Sequence, residues 1–239
     1  MDGFRADLHI HSCLSPCGDW DNSPSAIARR AREVGLDMVA LTDHNSALNC
    51  PAFEGACRRE GIASCYGLEI TTREEVHVLA LFGEVATALT MGSFIAEHFP
   101  SVRNDPKRFG DQVVVDEEDY VVEEVDFFLL SASFLSIEEI VDKTLELGGL
   151  SIPAHIDRTA FSLGSQLGFV PDLPFSAVEA TRLPVTPDPG DRAVIADSDA
   201  HYLSDIGNRY TLYRGYAPSF EAIRTALREK AITTSLALD

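Results

Sequence analysis

The stretch FRADLHIH, residues 4–11, alternates polar with apolar side chains and then ends on a His-x-His pair. It reads as a β-strand over residues 4–9 that delivers imidazoles at its downstream end. The same arrangement recurs along the chain. Further strands are predicted at residues 38–42, 63–70, 76–82, 150–154, 177–180 and 193–197, several of them apolar nearly throughout, as in a parallel sheet covered on both faces. Helices with legible ends lie between them. Ser23 and Pro24 open one that Gly35 closes, and Ser219 caps the last. Ser136 and Glu139 form a capping box ahead of Ile140, Val141 and Leu145, with Gly148 and Gly149 as the stop. Strands alternating with helices predict an α/β fold built on βαβ units and a parallel sheet, and the length fits one α/β barrel or two small domains. The chain is read as one unit, 1–239. Residues 84–148 elaborate it between barrel strands with a helix at 85–98, a Pro- and Gly-bearing loop at 100–110 and an acidic hairpin, a separate cap domain being the alternative, and residues 207–239 supply a terminal helix and strand.

Six of the seven histidines sit where a predicted strand meets the mouth of such a barrel. His9 and His11 follow the first strand and His44 follows the second, beside Asp43. Glu69 ends the third strand, His77 opens the next one eight residues later, and His155 ends the fifth. Asp199 and His201 follow the last, and only His98 stands apart. In a parallel barrel the strand C-terminal ends converge, so these residues meet. Imidazoles and carboxylates crowded into an apolar barrel are costly unless something compensates them. Metal ions with His N and carboxylate O ligands do so, and Zn, Mn or Fe suit that donor set. Residues two apart in a strand point the same way, so His9 with His11, and Asp199 with His201, can each chelate one centre. Eight such side chains exceed the roughly four that close a tetrahedral site. Two or three divalent ions sharing a bridging carboxylate, Glu69, are therefore expected. Such a centre generates hydroxide at neutral pH and clamps phosphoryl oxygens.

Composition limits the partners. Nineteen Lys+Arg against 38 Asp+Glu give a formal net charge of −19. That excess predicts repulsion of a polyphosphate, so the expected partner is a small anionic phosphoester and no long duplex nucleic acid. An acidic protein that accepts an anion needs a local positive centre, which bound cations would supply. Apolar residues at 45% exclude disorder. No run approaches the ~18 to 20 apolar residues that span a bilayer, and the first residues show no signal-peptide pattern. No membrane partner and a cytoplasmic location are expected. The five cysteines (13, 17, 50, 57 and 65) include no Cys-x-x-Cys pair and are expected to be free thiols.

Taken together, DLHIHS (residues 7–12), LTDHN (41–45), GLEIT with HVLALF (67–82), PAHID (153–157) and DSDAH (197–201) resemble the motifs of the polymerase and histidinol phosphatase, or PHP, superfamily, in the right order. The resemblance implies a distorted seven-stranded (β/α)7 TIM-like barrel with an inserted helix–hairpin elaboration, a trinuclear metal site and metal-dependent phosphoesterase activity. Carried over residue by residue, it assigns His9, His11, Glu69 and Asp199 to one ion, Glu69, His77 and His155 to a second, and His44 and His201 to a third, with Glu69 and Asp199 central to catalysis. Asp43 matches no usual ligand and is expected to orient an imidazole. Many members complete the third site with a His or Asp seven or eight residues after the first histidine. Here those positions are Pro16 and Cys17, with Asp19 two further on. Either Cys17 or Asp19 would complete the site, or the third ion binds weakly. Arg158, directly after PAHID, is expected to grip the phosphate, with Arg182 and Arg209 as weaker candidates. A 5′-to-3′ exonuclease acting on short oligonucleotides and an amidohydrolase-like C–N hydrolase are the alternatives.

Overall fold

The computed structural model describes residues 3–237; residues 238 and 239 of the expected terminal strand lie outside them. The first half follows the βαβ expectation. Strand β1 (Phe4–Asp7), helix α1 (Pro24–Glu33), β2 (Met38–Leu41), α2 (Cys50–Glu60) and β3 (Ala63–Thr71) succeed one another. The three strands pair in parallel, Ala6 beside Met38 and Met38 beside Ala63. The Ser23 side chain caps α1 by accepting from Ala26 N, and the helix buries Ile27, Ala28 and Ala31.

The parallel pattern then stops. Only residues 72–76 separate β3 from β4 (His77–Phe82). A parallel crossover needs about a dozen residues or more, so β4 must return antiparallel, with Thr71 opposite His77 and Glu69 opposite Leu79. Next come α3 (Val85–Glu97), α4 (Pro106–Phe109), the hairpin of β5 (Val113–Val115) and β6 (Val121–Glu124), and α5 (Ile137–Glu146), which carries the expected capping box. Strand β7 (Leu150–Pro153) is antiparallel to β4. Beyond α6 (Leu163–Gln166), strands β8 (Val178–Glu179) and β9 (Val194–Ile195) form a separate parallel pair. Strand β10 (Thr211–Tyr213), α7 (Phe220–Glu229) and β11 (Ile232–Thr234) complete the chain. The main sheet is a curled seven-stranded one in the order β11-β10-β1-β2-β3-β4-β7. Seven parallel strands alternating with helices were expected. Instead β4 and β10 run antiparallel to their neighbours, the strands expected at 177–180 and 193–197 stand in their own small sheet, and β10, too short to stand out in the sequence, takes a place in the main one.

Side chains alternate between two cores. Val78, Ala80 and Phe82 of β4 pack outward with Ile27, Phe53, Met91 and Ile140 from the covering helices. Leu79 and Leu81 pack inward with Phe4, Met38, Cys65 and Ile152, and α7 fills that concave side with Ile223, Ala226 and Leu227. The acidic hairpin is present and tied to the body by Asn49. The Asn49 amide donates to Val113 O at 3.2 Å, and its carbonyl accepts from Val115 N at 2.9 Å.

The small sheet joins the large one at its two sides. On one side Ser176 N donates to Ser151 O at 2.8 Å. On the other, carboxylates do the work of a ladder. Asp197 Oδ1 accepts from Leu8 N at 2.8 Å, while Asp7 accepts from Ser198 N and Gly207 N, each at 3.0 Å. Past this point Ile10 pairs in parallel with Ala200, and His11 N reaches Ala200 O at 2.9 Å. Both carboxylates are fully buried, and burial pushes the Asp7 carboxyl up to about 6 despite the bonds from Ser198 and Gly207. Because an asparagine keeps one acceptor and turns an N–H2 toward a donor, Asp7→Asn is expected to cost about 1–3 kcal/mol of stability. Urea unfolding checks this; an unchanged midpoint would show that the carboxylate does not close the sheet.

Candidate metal centre

The fold explains why distant residues meet. In β3, Cys65 and Glu69 have the same parity, so Glu69 faces the concave side with the inner core. Because β4 is antiparallel, its first residue, His77, comes to the same end of the sheet. His44, just past β2, pairs with Glu69 through the backbone, and Asn45 N donates to Glu69 O at 2.9 Å. Several residues at this end have left-handed backbone: Asn45 at φ 52°, His155 at 30°, Phe161 at 51° and Asp199 at 52°. Non-glycine residues pay about 1–3 kcal/mol each for such conformations, which gather at functional sites. Local bonds hold them: Asn45 donates to Leu129 O at 2.7 Å, and Phe161 O accepts from His77 N at 3.0 Å.

Every histidine and acid singled out for this end arrives there. His9, His11, His44, Glu69, His77, His155 and Asp199 are buried, and His201 is partly so. Glu69 is the hub. Its Oε1 lies 2.8 Å from His77 Nδ1, 3.1 Å from His155 Nε2 and 3.3 Å from His9 Nε2. Its Oε2 lies 3.0 Å from His44 Nδ1 and 3.3 Å from His11 Nε2. Asp199 Oδ1 stands 3.1 Å from His11 Nε2 and 3.3 Å from His9 Nε2. Three groups keep their donor atoms within 4.8 Å of one another: His9, His11, Glu69 and Asp199; His44, Glu69 and His77; and His11, His44 and His201. The first is the set expected for one ion. The other two differ in grouping from the expected sets, with His44 joining Glu69 and His77, and His11 joining His44 and His201.

The residues behind this layer fix which nitrogens face inward. Asp43 touches no imidazole directly. It accepts from Ser12 N at 2.7 Å, Ser12 Oγ at 2.6 Å and Ser15 Oγ at 2.7 Å. Since the Ser15 proton goes to Asp43, its oxygen accepts from His11 Nδ1 at 3.0 Å and from His44 N at 3.1 Å. That leaves His11 Nε2 toward the carboxylates. Glu179, which the sequence reading passed over, does the same for His9, accepting from Nδ1 at 2.9 Å and from His155 N at 3.2 Å. Its signal was an acid inside the apolar run AVEA, residues 177–180. Ser15 gave no signal.

Charges within the cluster are sharply divided. Burial alone would raise the Glu69 carboxyl, but the imidazoles of His77, His9 and His44 hold it well below the usual carboxylate range. Asp199 is likewise held down against burial by His9 and His11. Burial drives His44 well down, and with His11 beside it drives His201 down to about 4. Against the same burial, Asp199 and Glu69 carry His11 up to about 9, and Asp199, Glu179 and Glu69 carry His9 well up. Three buried carboxylates, Glu69, Asp199 and Glu179, thus draw positive charge into the cluster. His155 Nδ1 is buried without a hydrogen-bond partner, and His44 Nδ1, though 3.0 Å from Glu69 Oε2, is not aligned to form a hydrogen bond with it. Nitrogen and oxygen donors this close, with a standing need for positive charge, fit divalent cations.

Above the cluster lies a cavity of about 340 Å3, lined by Arg158, Phe161 and Cys17 as well as by cluster residues. Arg158 Nη1 pairs with Asp199 Oδ2 at the mouth. The Phe161 ring stacks on His77 with centroids 4.8 Å apart. Cys17 is exposed at the rim, whereas Asp19 turns its carboxylate to Asp21 N at 2.8 Å. Arg182 lies in a neighbouring cavity. Arg209 is spent on the Asp197 and Ser198 carbonyls, both at 2.9 Å, and so fixes the turn that carries Asp199.

Comparison with known proteins adds to this geometry. The PHP domain family matches residues 7–140, and the family described as PHP-associated matches residues 191–232. An error-prone DNA polymerase of Nocardia farcinica is 35% identical over 66 residues, 28% of this chain but only 6% of the polymerase. Among solved structures, the lesion-specific endonuclease EndoQ of Pyrococcus furiosus superposes with a TM-score of 0.71 at 19% identity, covering 97% of this chain and 57% of that one. A Bifidobacterium adolescentis protein assigned as a metal-dependent phosphoesterase gives 0.59 at 17% identity, covering 93% and 95%. Endonuclease Q has also been solved with a 27-mer duplex carrying an abasic lesion at its active site, and that structure matches at a TM-score of 0.64 and 19% identity, over 95% of this chain and 56% of that one. The expectation that acidity excludes long duplex nucleic acid is therefore withdrawn, because net charge sums a whole surface whereas a duplex meets one face of it. No helix among the described residues is long and apolar enough to cross a membrane. With a match that takes in more than half of its residues, the chain belongs to the PHP domain family.

Proposed function

We propose that this chain hydrolyses phosphoesters, of a small phosphomonoester or nucleotide type, with two or three divalent ions (Zn, Mn or Fe) held by His9, His11, His44, Glu69, His77, His155, Asp199 and His201. The observation that carries this reading is the Glu69 carboxylate, approached on both oxygens by five imidazoles at 2.8–3.3 Å beneath an open cavity. When bound, such ions activate water at neutral pH and offset the charge of phosphoryl oxygens. The protein's own groups do the rest. Glu69 and Asp199 hold the ligand set at fixed spacing. Asp199 also anchors the guanidinium of Arg158, whose remaining N–H donors suit two oxygens of a phosphate. Ser15 and Glu179 keep the Nε2 lone pairs of His11 and His9 inward. Phe161 shields one face of His77 from water and offers an apolar wall to the leaving group. The cavity volume is that of a small-ligand pocket.

No lysine lines this cavity, so the C–N hydrolase alternative lacks a residue for a carbamylated bridge. Five free cysteines favour a reducing compartment such as the cytoplasm. Cys17, at the rim, is better placed than Asp19 to complete a third site.

Glu69→Gln is expected to lower turnover of a phosphoester panel by at least about 100-fold, as loss of a central electrostatic group does, and to reduce the metal bound per chain. Full turnover in that variant would end the proposal. Exhaustive chelation should abolish activity, and added Mn or Zn should restore it. Glu179→Gln should weaken metal affinity about 10–100-fold while the fold stays intact; a metal titration matching wild type would remove Glu179 from its assigned role.

A further inference from the structure

A cavity of about 640 Å3 lies between α3 and the acidic hairpin and shares no lining residue with the one above the metal centre. Leu48, Leu89 and Phe127 give it an apolar lining, and its charged residues are Glu123, Glu124 and Asp126. All three acids are exposed, and among the described residues no lysine, arginine or histidine lines the cavity to answer them. Helix α3 carries no charge before its last residue, Glu97, although Thr90, Ser93 and Ala96 are exposed. In a chain with 24% charged residues, an uncharged flank beside a Phe127 that is 51% exposed has the make-up of a contact surface.

The hairpin adds a backbone feature. Strand β6 is the edge of a two-stranded sheet, and each of its four residues is exposed. Val125 N donates to Gln112 O on the β5 side at 2.8 Å. By alternation, the N–H and C=O groups of Val122 and Glu124 point away from β5. A little further on, that same outer edge is already paired: Asp126 O accepts from Asn104 N at 2.8 Å, and Phe127 bridges antiparallel to Arg103. The chain's own strand partner ends there, which leaves Val122 and Glu124 with an open edge beside the cavity. Open edges of this kind pair with another extended segment unless they are covered.

The charges choose the occupant. The run YVVEEVDF, residues 120–127, holds three acids and no base. A second copy would bring three further carboxylates to the edge, and a nucleic acid would bring phosphates. A segment in which basic and apolar residues alternate answers both the backbone and the side chains.

We propose that this groove docks a basic, extended segment of a partner protein. The segment adds as a third strand at the free edge of β6, sets its Lys or Arg side chains against Glu123, Glu124 and Asp126, and lays an apolar side chain on Leu48, Leu89 and Phe127.

Fluorescence anisotropy of the full chain with labelled decapeptides tests this, one alternating Lys with Val, one with the same residues in two blocks, and one alternating Glu with Val. Wild type should bind the alternating Lys peptide at least about tenfold more tightly than the block peptide, the worth of one well-placed charge-assisted contact, and leave the Glu peptide unbound. Glu123→Lys combined with Glu124→Lys should abolish that preference. Val122→Pro removes an outward N–H, which an edge strand tolerates, and should weaken the alternating peptide alone. If that variant misfolds by circular dichroism, the exposed charge reversals still decide. Equal binding of both Lys peptides, no binding of either, or a preference that survives substitution would each overturn the site. So would a wild-type dimer in light scattering that the charge reversals dissolve, which would seat a second copy there instead.

Discussion

The organising constraint is one buried carboxylate. Glu69 is 1% exposed and has imidazole nitrogens against both oxygens, in a place where water cannot screen it. A lone buried charge of this kind would destabilise the fold severely. The rest of the molecule can be understood as the means of surrounding it. The five-residue turn after β3 reverses the chain so that His77 stands at Glu69's end of the sheet. The backbone pairing of His44 with Glu69 sets the distance from the second strand. The outer helices bury their apolar faces against the convex side and hold the curl that brings the strand ends together.

Behind the imidazoles lies a layer that sets chemistry rather than position. A histidine can present either nitrogen, and the choice belongs to whatever the other nitrogen meets. For His11 that is a serine whose own proton is claimed by Asp43; for His9 it is Glu179. The same layer joins site and scaffold. Glu179 also takes the backbone of His155, and Arg209 fixes the carbonyls ahead of Asp199. Stability and site geometry are thus carried by shared groups.

Much of this was legible in the sequence because strand ends advertise themselves. Apolar runs that stop at His or Asp gave the strands bearing His9, His44, Glu69, His77 and His155, with boundaries off by one or two residues. Caps gave α1, α5 and α7 for the same local reason. Direction was harder. The antiparallel β4 was implied by the short span between Glu69 and His77, but the strong parallel pattern before it outweighed that clue. The three-residue β10 carries too little periodicity to stand out, and β8 and β9 fall where strands were expected but in a sheet of their own. Ser15 and Glu179 were not singled out because a hydrogen-bonding partner is defined by three-dimensional neighbours rather than by spacing. The acidity argument failed on a different ground, since composition has no spatial address.

The pairing of Ile10 with Ala200, beside the carboxylate links of Asp7 and Asp197, has a temporal consequence. The cluster draws on both ends of a span of nearly two hundred residues, and contacts so distant along the chain form late. During synthesis the early histidines emerge well before Asp199 and His201 can join them. The cluster is therefore complete only once the last of these residues has emerged, and a ribosome-bound nascent chain that stops short of β9 lacks two of its eight side chains, Asp199 and His201.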